Sequence, residues 1–433
     1  MNLKIRKVLI CFFVLIVVFF ISLVITYICM PLNGDSVWLY GFGYNIYDGL
    51  IIYRDFNVVT TPLYYFFEVL FIHLFGNYMI SVDLFNSLLV SLIALMMFRT
   101  IKFKSFLVLP LIMIFYPNGY NLFSLFWLML ILFLIEIQKD NDVLIGLIIS
   151  FLFLTKQSIG VFILIPGLFY SKNKIKMLSS FCVPVLLLMV YLIYNDALYS
   201  FIDYCFLGLF DFGAKNLSGY SMIIILECFV LAYLIYLLVK SNFKKKDVFY
   251  ILMFQIMIYP LAEIYHFCVY LFPIIYYVLK TNGNKYFSII LGFTIIYLSI
   301  FCFFGVGKKI HFEKDLLFFK NSGDLTHLLE VFNDYLVGVD NYYFSSSYAY
   351  LYKLYYHIPI THYDLWNEGN MGYNGVFERI KEVDEMCSSE KCVFILDSTT
   401  ELIKQNQDSD FYFYVKNNYV KIDEYDIFHI YSN

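Results

Sequence analysis

"TPLYYFFEVLFIHLFGNYMISVDLFNSLLVSLIALMMFRT", Thr61 to Thr100, decides how this chain is threaded. It holds two apolar segments separated by Gly76 and Asn77. The second is long enough to cross a bilayer and ends on a basic cluster, Arg99, Lys102 and Lys104. The first, Pro62 to Phe75, is short against the roughly twenty residues a span needs. Lys and Arg gather in cytoplasmic loops. If both segments crossed, Arg99 would land outside. The parity therefore predicts that residues 62–75 lie in the outer interface as an amphipathic helix. Tyr64, Tyr65 and His73 suit that level, where amphipathic rings concentrate.

The same logic extends outward in both directions. The chain of 433 residues is 61% hydrophobic and 15% charged, with mean hydropathy +0.72. Soluble domains are nearer half apolar and a quarter charged, so this composition reads as a polytopic membrane protein. The net charge of -4 says little about partners. The N-terminal "MNLKIRKVLICFFVLIVVFFISLVITYI" couples a basic start to an apolar run longer than a signal-peptide core, with no small-x-small cleavage site. It reads as a retained first span or signal anchor, about residues 8–29. Further basic clusters stand at Lys172, Lys174 and Lys176, at Lys240 and Lys244 to Lys246, and at Lys280 and Lys285. Placing all of them inside makes "VLIGLIISFLFLTKQSIGVFILIPGLFY" (143–170) go out and return, turning at Thr155-Lys156-Gln157-Ser158. Later spans follow at 177–194, 219–239 and 247–260, then a return by about 279 and an exit through 286–305. Outer loops fall at 195–218 and at "YPLAEIYHF" (259–267).

From about residue 309 the chain turns polar and tyrosine-rich. Strand-like runs, "CVFILDS" (392–398) and "DIFHIYSN" (426–433), alternate with helical stretches at 324–336 and 374–387. That alternation predicts a small α/β domain. The expected fold is an all-α polytopic membrane protein of about eleven transmembrane helices plus an outer juxtamembrane helix, followed by this extracytoplasmic domain. The expected borders are 1–308, with a first outer loop at 30–77, and 309–433. Most cysteines lie inside apolar runs and read as small core residues. Cys387 and Cys392, in "CSSEKC", stand in a polar region. They are either a disulfide or two free thiols, since a bridge requires specific geometry. No nucleotide-binding glycine fingerprint or Walker sequence occurs, and no nucleic-acid partner is expected.

Sorted by side of the membrane, the polar residues converge at the outer ends of spans. Asp35, Asp48, Arg54 and Asp55 lie in the first outer loop, Lys156 at the hairpin turn, and Glu263, Tyr265 and His266 at another outer turn. Ionisable groups next to the apolar slab are costly and tend to mark pathways or sites. Each also has a plainer reading. Asp48 precedes Gly49 and suits a turn. Arg54 and Asp55 suit a loop ion pair. Lys156 suits a lysine snorkelling at the boundary. Glu263 and His266 share a helical face if that turn is helical, but one Glu and one His do not make a metal site.

Several stretches resemble a known superfamily. An acidic residue opening the first outer loop, then "DGLIIYRDF" and "TPLYYFFEVLFIHLFG", is similar to the GT-C glycosyltransferases that use lipid-phosphate sugars. Within them it resembles the branch containing protein O-mannosyltransferases and the aminoarabinose transferase of lipid A. "FLTKQSIGVFILIPGL" and "YPLAEIYHFCVYLFPII" resemble later blocks of the same branch. The resemblance covers about residues 1–305. It implies a multi-pass cell-membrane enzyme with a polyprenyl-phosphate-linked sugar as donor. The acceptor would be an envelope glycan, lipid or protein. Asp35 matches the first-loop aspartate, so the resemblance implies that it is the catalytic general base or an acceptor-positioning residue. Ser36 stands where the family often carries a second acidic residue, so no divalent-metal cofactor is implied through an acidic pair.

The chemistry suits the charges. An acceptor hydroxyl must lose its proton, for which a carboxylate is fitted. The departing phosphate needs cations, for which Lys156, Arg54 and His266 are candidates. Asp55, Tyr53, Gln157, Glu263 and Tyr265 are candidate supporting or substrate-binding residues. Grooves between short spans would take the isoprenoid tail among membrane lipids. A polysaccharide polymerase or ligase would carry its chemistry in a large mid-chain loop rich in Arg or His, but 195–218 offers Asp196, Asp203, Asp211 and Lys215. A transporter would show broken helices in two matching halves, and no second half matches the Lys156 hairpin.

Overall fold

The computed structural model describes residues 3–29, 34–77, 79–101, 122–137, 139–215, 323–345, 348–364, 371–397 and 409–433, with residue 366 and scattered helical positions between 225 and 292. The described chain is mostly helical and forms two compact units. One comprises Met1–Ser36, Thr61–Leu188 and Gly219–Phe312; the other comprises Val37–Thr60, Met189–Ser218 and Glu313–Asn433.

The first unit holds α1 (Leu3–Cys29), the opening turn of α2 (Gly34–Tyr47), α3 (Leu63–Phe75), α4 (Met79–Ile101), α5 (Leu122–Glu136), α6 (Asp142–Thr155), α7 (Gln157–Tyr170) and most of α8 (Lys174–Tyr194). Three helices are long and apolar enough to cross a membrane: α1 through Ile5–Val24, α4 and α8. α4 is the inner one, buried along most of its apolar length where the other two are largely exposed. α1, α3 and α5 pack on it. This corrects the expectation of about eleven spans: among the described residues three helices qualify. α6 and α7 fall short because 14 residues each rise only about 21 Å, against a hydrocarbon core of about 30 Å. The spans expected at 219–239, 247–260 and 286–305 lie, apart from scattered positions, outside the described residues.

α3 has the expected bounds. Pro62 sits at its N-cap, Tyr64, Tyr65, Glu68 and Ile72 form a buried stripe, and Leu70, Leu74 and Phe75 are exposed. Its 13 residues rise about 20 Å, too little for a span. The 143–170 stretch also breaks where its polar interruption predicts. Asn141 caps α6 by accepting from the Leu144 N–H at 3.3 Å. Lys156 alone separates α6 from α7, with extended backbone at φ -152°. Gly160 lets the two arms close, because a Cβ there would fall 2.2 Å from the Phe153 Cα. At the far end Asp142 accepts from the Ser171 hydroxyl at 2.5 Å and the Asn173 N–H at 2.8 Å, fastening the hairpin to the start of α8.

The second unit is built around a sheet. Residues 195–218, read from the sequence as a loop, instead fold over their described part as α9 (Leu198–Ile202), a π turn (Asp203–Leu207) and α10 (Gly208–Lys215). The C-terminal elements are α11 (Gly323–Leu336), β1 (Asn341–Ser345), α12 (Tyr348–Tyr355), α13 (Gly375–Ser389), β2 (Cys392–Asp397), α14 (Ser409–Asn418), β3 (Val420–Tyr425) and β4 (Phe428–Ser432). The sheet order is β1-β2-β4-β3, with β1 and β2 parallel and the other pairs antiparallel. β2 is buried along almost its whole length, which is why it reads as a continuous apolar run. Trp366 stacks on Phe411 with centroids 3.5 Å apart in the core behind it. Cys387 and Cys392 form a disulfide joining the end of α13 to the start of β2.

The first outer loop takes part in this unit. The Asn45 side chain clasps the Ile360 backbone, donating to its carbonyl at 2.7 Å and accepting from its N–H at 3.1 Å. Phe42 stacks on Phe56 at 5.7 Å and meets Tyr350 edge-on at 6.3 Å. Gly41 permits that approach, since a Cβ there would lie 2.3 Å from the Ile360 Cδ1.

Candidate functional site

In the first unit, Asp35 is the second residue of α2. Lys156 sits at the junction of α6 and α7, partly buried, with its ammonium 4.9 Å from the Phe123 ring centroid on α5. No carboxylate among the described residues forms an ion pair with it. α7 begins at the next residue, so the positive end of its helix dipole stands beside the ammonium. Such an end attracts anions, and an adjacent cation adds to the attraction. Gln157 and Thr155 are both buried at this junction. The Thr61 hydroxyl donates to the Phe153 carbonyl at 2.6 Å and so ties the start of α3 to α6.

In the second unit, Tyr53, Arg54 and Asp55 form one tight turn. The Ile51 N–H donates to Asp55 Oδ2 at 2.7 Å, and the Asp55 N–H returns to the Ile51 carbonyl at 2.9 Å. Tyr53 adopts φ +70°, an uncommon value for a side-chain-bearing residue. It is held there by a buried ring 5.1 Å from Phe201 and a hydroxyl that donates to the Thr60 carbonyl at 2.8 Å. Arg54 forks onto Asp55 through Nε at 2.8 Å and Nη2 at 3.0 Å. That hydrogen bond holds the Asp55 carboxyl below the usual carboxylate range. Arg54 is pushed up by the same bond, with smaller contributions from Asp55, Asp196 and Tyr191.

The sequence reading did not group this turn with His362, Arg379 and Glu382, whose charges act on one another. His362 feels the fields of Asp55, Asp364, Arg379 and Glu382, and burial first, then Arg379, pulls it below its ordinary value. Glu382 accepts from the Tyr363 hydroxyl at 2.9 Å and from Arg379 at 2.5 Å. Asp203 and Asp211 accept from the backbone N–H groups of Tyr373, at 3.0 Å, and Asn374, at 2.7 Å. These partners lie 163 or more residues apart, and no local pattern signals them. Glu68, fully buried on α3, did carry a signal. It falls one turn after Tyr64 on the apolar stripe.

The expected site residues therefore divide. Asp35, Lys156 and Gln157 belong to one compact unit, and Tyr53, Arg54 and Asp55 to the other. Glu263, Tyr265 and His266 lie outside the described residues. Among the described residues no group of three His, Cys, Asp or Glu could hold a metal ion. Compared with known proteins, the chain matches no family model, no curated protein and no solved structure.

Proposed function

We propose that this chain is a membrane glycosyltransferase that moves a sugar from a polyprenyl-phosphate donor to an envelope glycan, lipid or protein on the outer face. The observation that carries the reading is the Lys156 junction. It holds a cation with no described carboxylate partner, at the start of a 14-residue helix, between two helices too short to span. Such a junction suits the phosphate of a lipid-linked donor. The disulfide between Cys387 and Cys392 supports an oxidising, extracytoplasmic location for the C-terminal domain.

In this reading Asp35 takes the proton of an acceptor hydroxyl. The acceptor oxygen attacks the anomeric carbon, the bond from that carbon to the phosphate oxygen breaks, and polyprenyl phosphate leaves with its negative charge. A single displacement inverts the anomeric centre. Lys156 and the N-terminus of α7 stabilise the departing phosphate. Arg54, already paired with Asp55, orders the first outer loop and contributes less charge. The test uses the full chain in nanodiscs, a radiolabelled polyprenyl-phosphate sugar and a cell-envelope extract as acceptor. Asp35→Asn is expected to abolish transfer while donor binding persists; full transfer by that variant would overturn the base assignment.

A further inference from the structure

The mid-chain segment leaves an apolar face uncovered. Of the residues on α9, the π turn and α10 that are exposed, Tyr199, Ile202, Leu207, Leu209 and Phe210 are apolar or aromatic, Tyr199 at 80% and Phe210 at 71%. The opposite side is committed to the protein. Phe201, Tyr204 and Cys205 are buried there, and Asp203 and Asp211 turn to the backbone of Tyr373 and Asn374. Among the described side chains, charge is thus segregated to the inner side and apolar surface to the outer, the arrangement of a helix that lies on lipid.

The chain itself names the occupant. α8, a helix long and apolar enough to cross a membrane, leaves Leu186, Leu187, Val190, Ile193 and Tyr194 exposed. Only residues 195–197 separate its end from α9, a reach of about 11 Å at most. The segment must therefore begin at headgroup depth, where tyrosine rings concentrate. We propose that α9, the π turn and α10 form an interfacial anchor on the outer phospholipid leaflet, with Tyr199 and Phe210 in the acyl–headgroup boundary. A second protein or a second copy of the chain would cover the same face without lipid contact, and the test separates these outcomes.

The full chain is placed in nanodiscs of phosphatidylcholine with or without bromine on the acyl chains, and Tyr199→Trp and Phe210→Trp are compared with the parent. Phe413→Trp, on α14, serves as the comparison site. The added emission of both test variants is expected to be lost on brominated lipid and to resist aqueous iodide, while that of Phe413→Trp shows the reverse. Iodide quenching at Tyr199→Trp and Phe210→Trp without bromine quenching would place the face in water and overturn the proposal. Resistance to both quenchers would place it against protein and overturn it equally.

Discussion

Lys353, in the sheet-bearing unit, holds Asp364 at 2.6 Å with both side chains almost wholly buried. Lys156, at the helical hairpin, faces an aromatic ring and no described carboxylate. The difference lies in how the counter-charge is supplied. Asp364 is fully engaged, because it also accepts from the Thr361 N–H at 2.6 Å and hydroxyl at 3.0 Å. Every charge in that group is answered within the fold. Among the described residues Lys156 receives only a ring contact, of about 0.5–1 kcal/mol at exposed sites and more when desolvated. A cation built this way costs stability unless something from outside completes it. The first lysine belongs to the fold, and in the proposed function the second is the one left for a ligand.

The largest effect expected from this contrast is on Asp364. Asp364→Ala strands a buried ammonium and should destabilise the sheet-bearing unit by about 3–5 kcal/mol, read as faster proteolysis of the 348–397 region. Replacing both partners by apolar residues, Lys353→Met with Asp364→Leu, should recover much of that loss. Failure of the double variant to recover would mean that the pair does more than satisfy itself. Next comes Lys156→Ala. Its thermal midpoint should stay near the parent value while kcat/KM for the lipid-phosphate donor falls about 100-fold, the usual scale for losing one electrostatic stabiliser. A large drop in stability with unchanged donor kinetics would erase the distinction between the two lysines.

A smaller effect is expected at Asn45, a neutral version of the satisfied group at Asp364. Asn45→Ala removes both bonds to the Ile360 backbone and leaves a buried N–H and carbonyl unpaired. The cost should be about 1–3 kcal/mol, seen as faster hydrogen exchange at Ile360. The smallest is the exposed Arg54–Asp55 pair. The folded Asp55 value is depressed, so its contribution is complete above the ordinary aspartate value near 4. It fades as pH falls through the lower folded value. Protection of the Ile51 amide, which donates to Asp55, should weaken on acidification, and Arg54→Gln should shift that weakening to higher pH.

Local features were legible in the sequence. The bounds of α3, the break at Lys156, the helical stretches at 324–336 and 374–387 and the strands at 392 and 428 all follow from periodicity, length or polar punctuation. β1 and β3 were missed. β1 is only five residues long and lies in a tyrosine- and serine-rich run, so its buried Tyr343 and Phe344 set no alternating pattern; β3 is an edge strand exposed along nearly its whole length and shows no buried face. The segment 195–218 read as loop because, over its described part, apolar residues lie on both its buried and its exposed side and its aspartates accept from backbone groups far away in sequence. Span counting from charge parity also runs ahead of helix length, since α6 and α7 satisfy the parity without the length of a span. At the site, residue types on one turn or one hairpin could be grouped from the sequence. The grouping of Asp55 with His362, Arg379 and Glu382 could not, because it depends on pairing across some 300 residues.

The Asn45 clasp on Ile360 also sets a timetable for biogenesis. Its two halves are 315 residues apart. At about 5–20 residues per second of synthesis, Gly41, Phe42 and Asn45 are made from about 15 s to about a minute before the backbone they fold against. During that interval the first loop has neither its edge-on ring partner Tyr350 nor its clasp. The unit can close only after nearly the whole chain has been made and its C-terminal part delivered to the same side. Truncation of the last strands should therefore leave the first loop, some 380 residues upstream of β4, as protease-sensitive as the missing sheet itself.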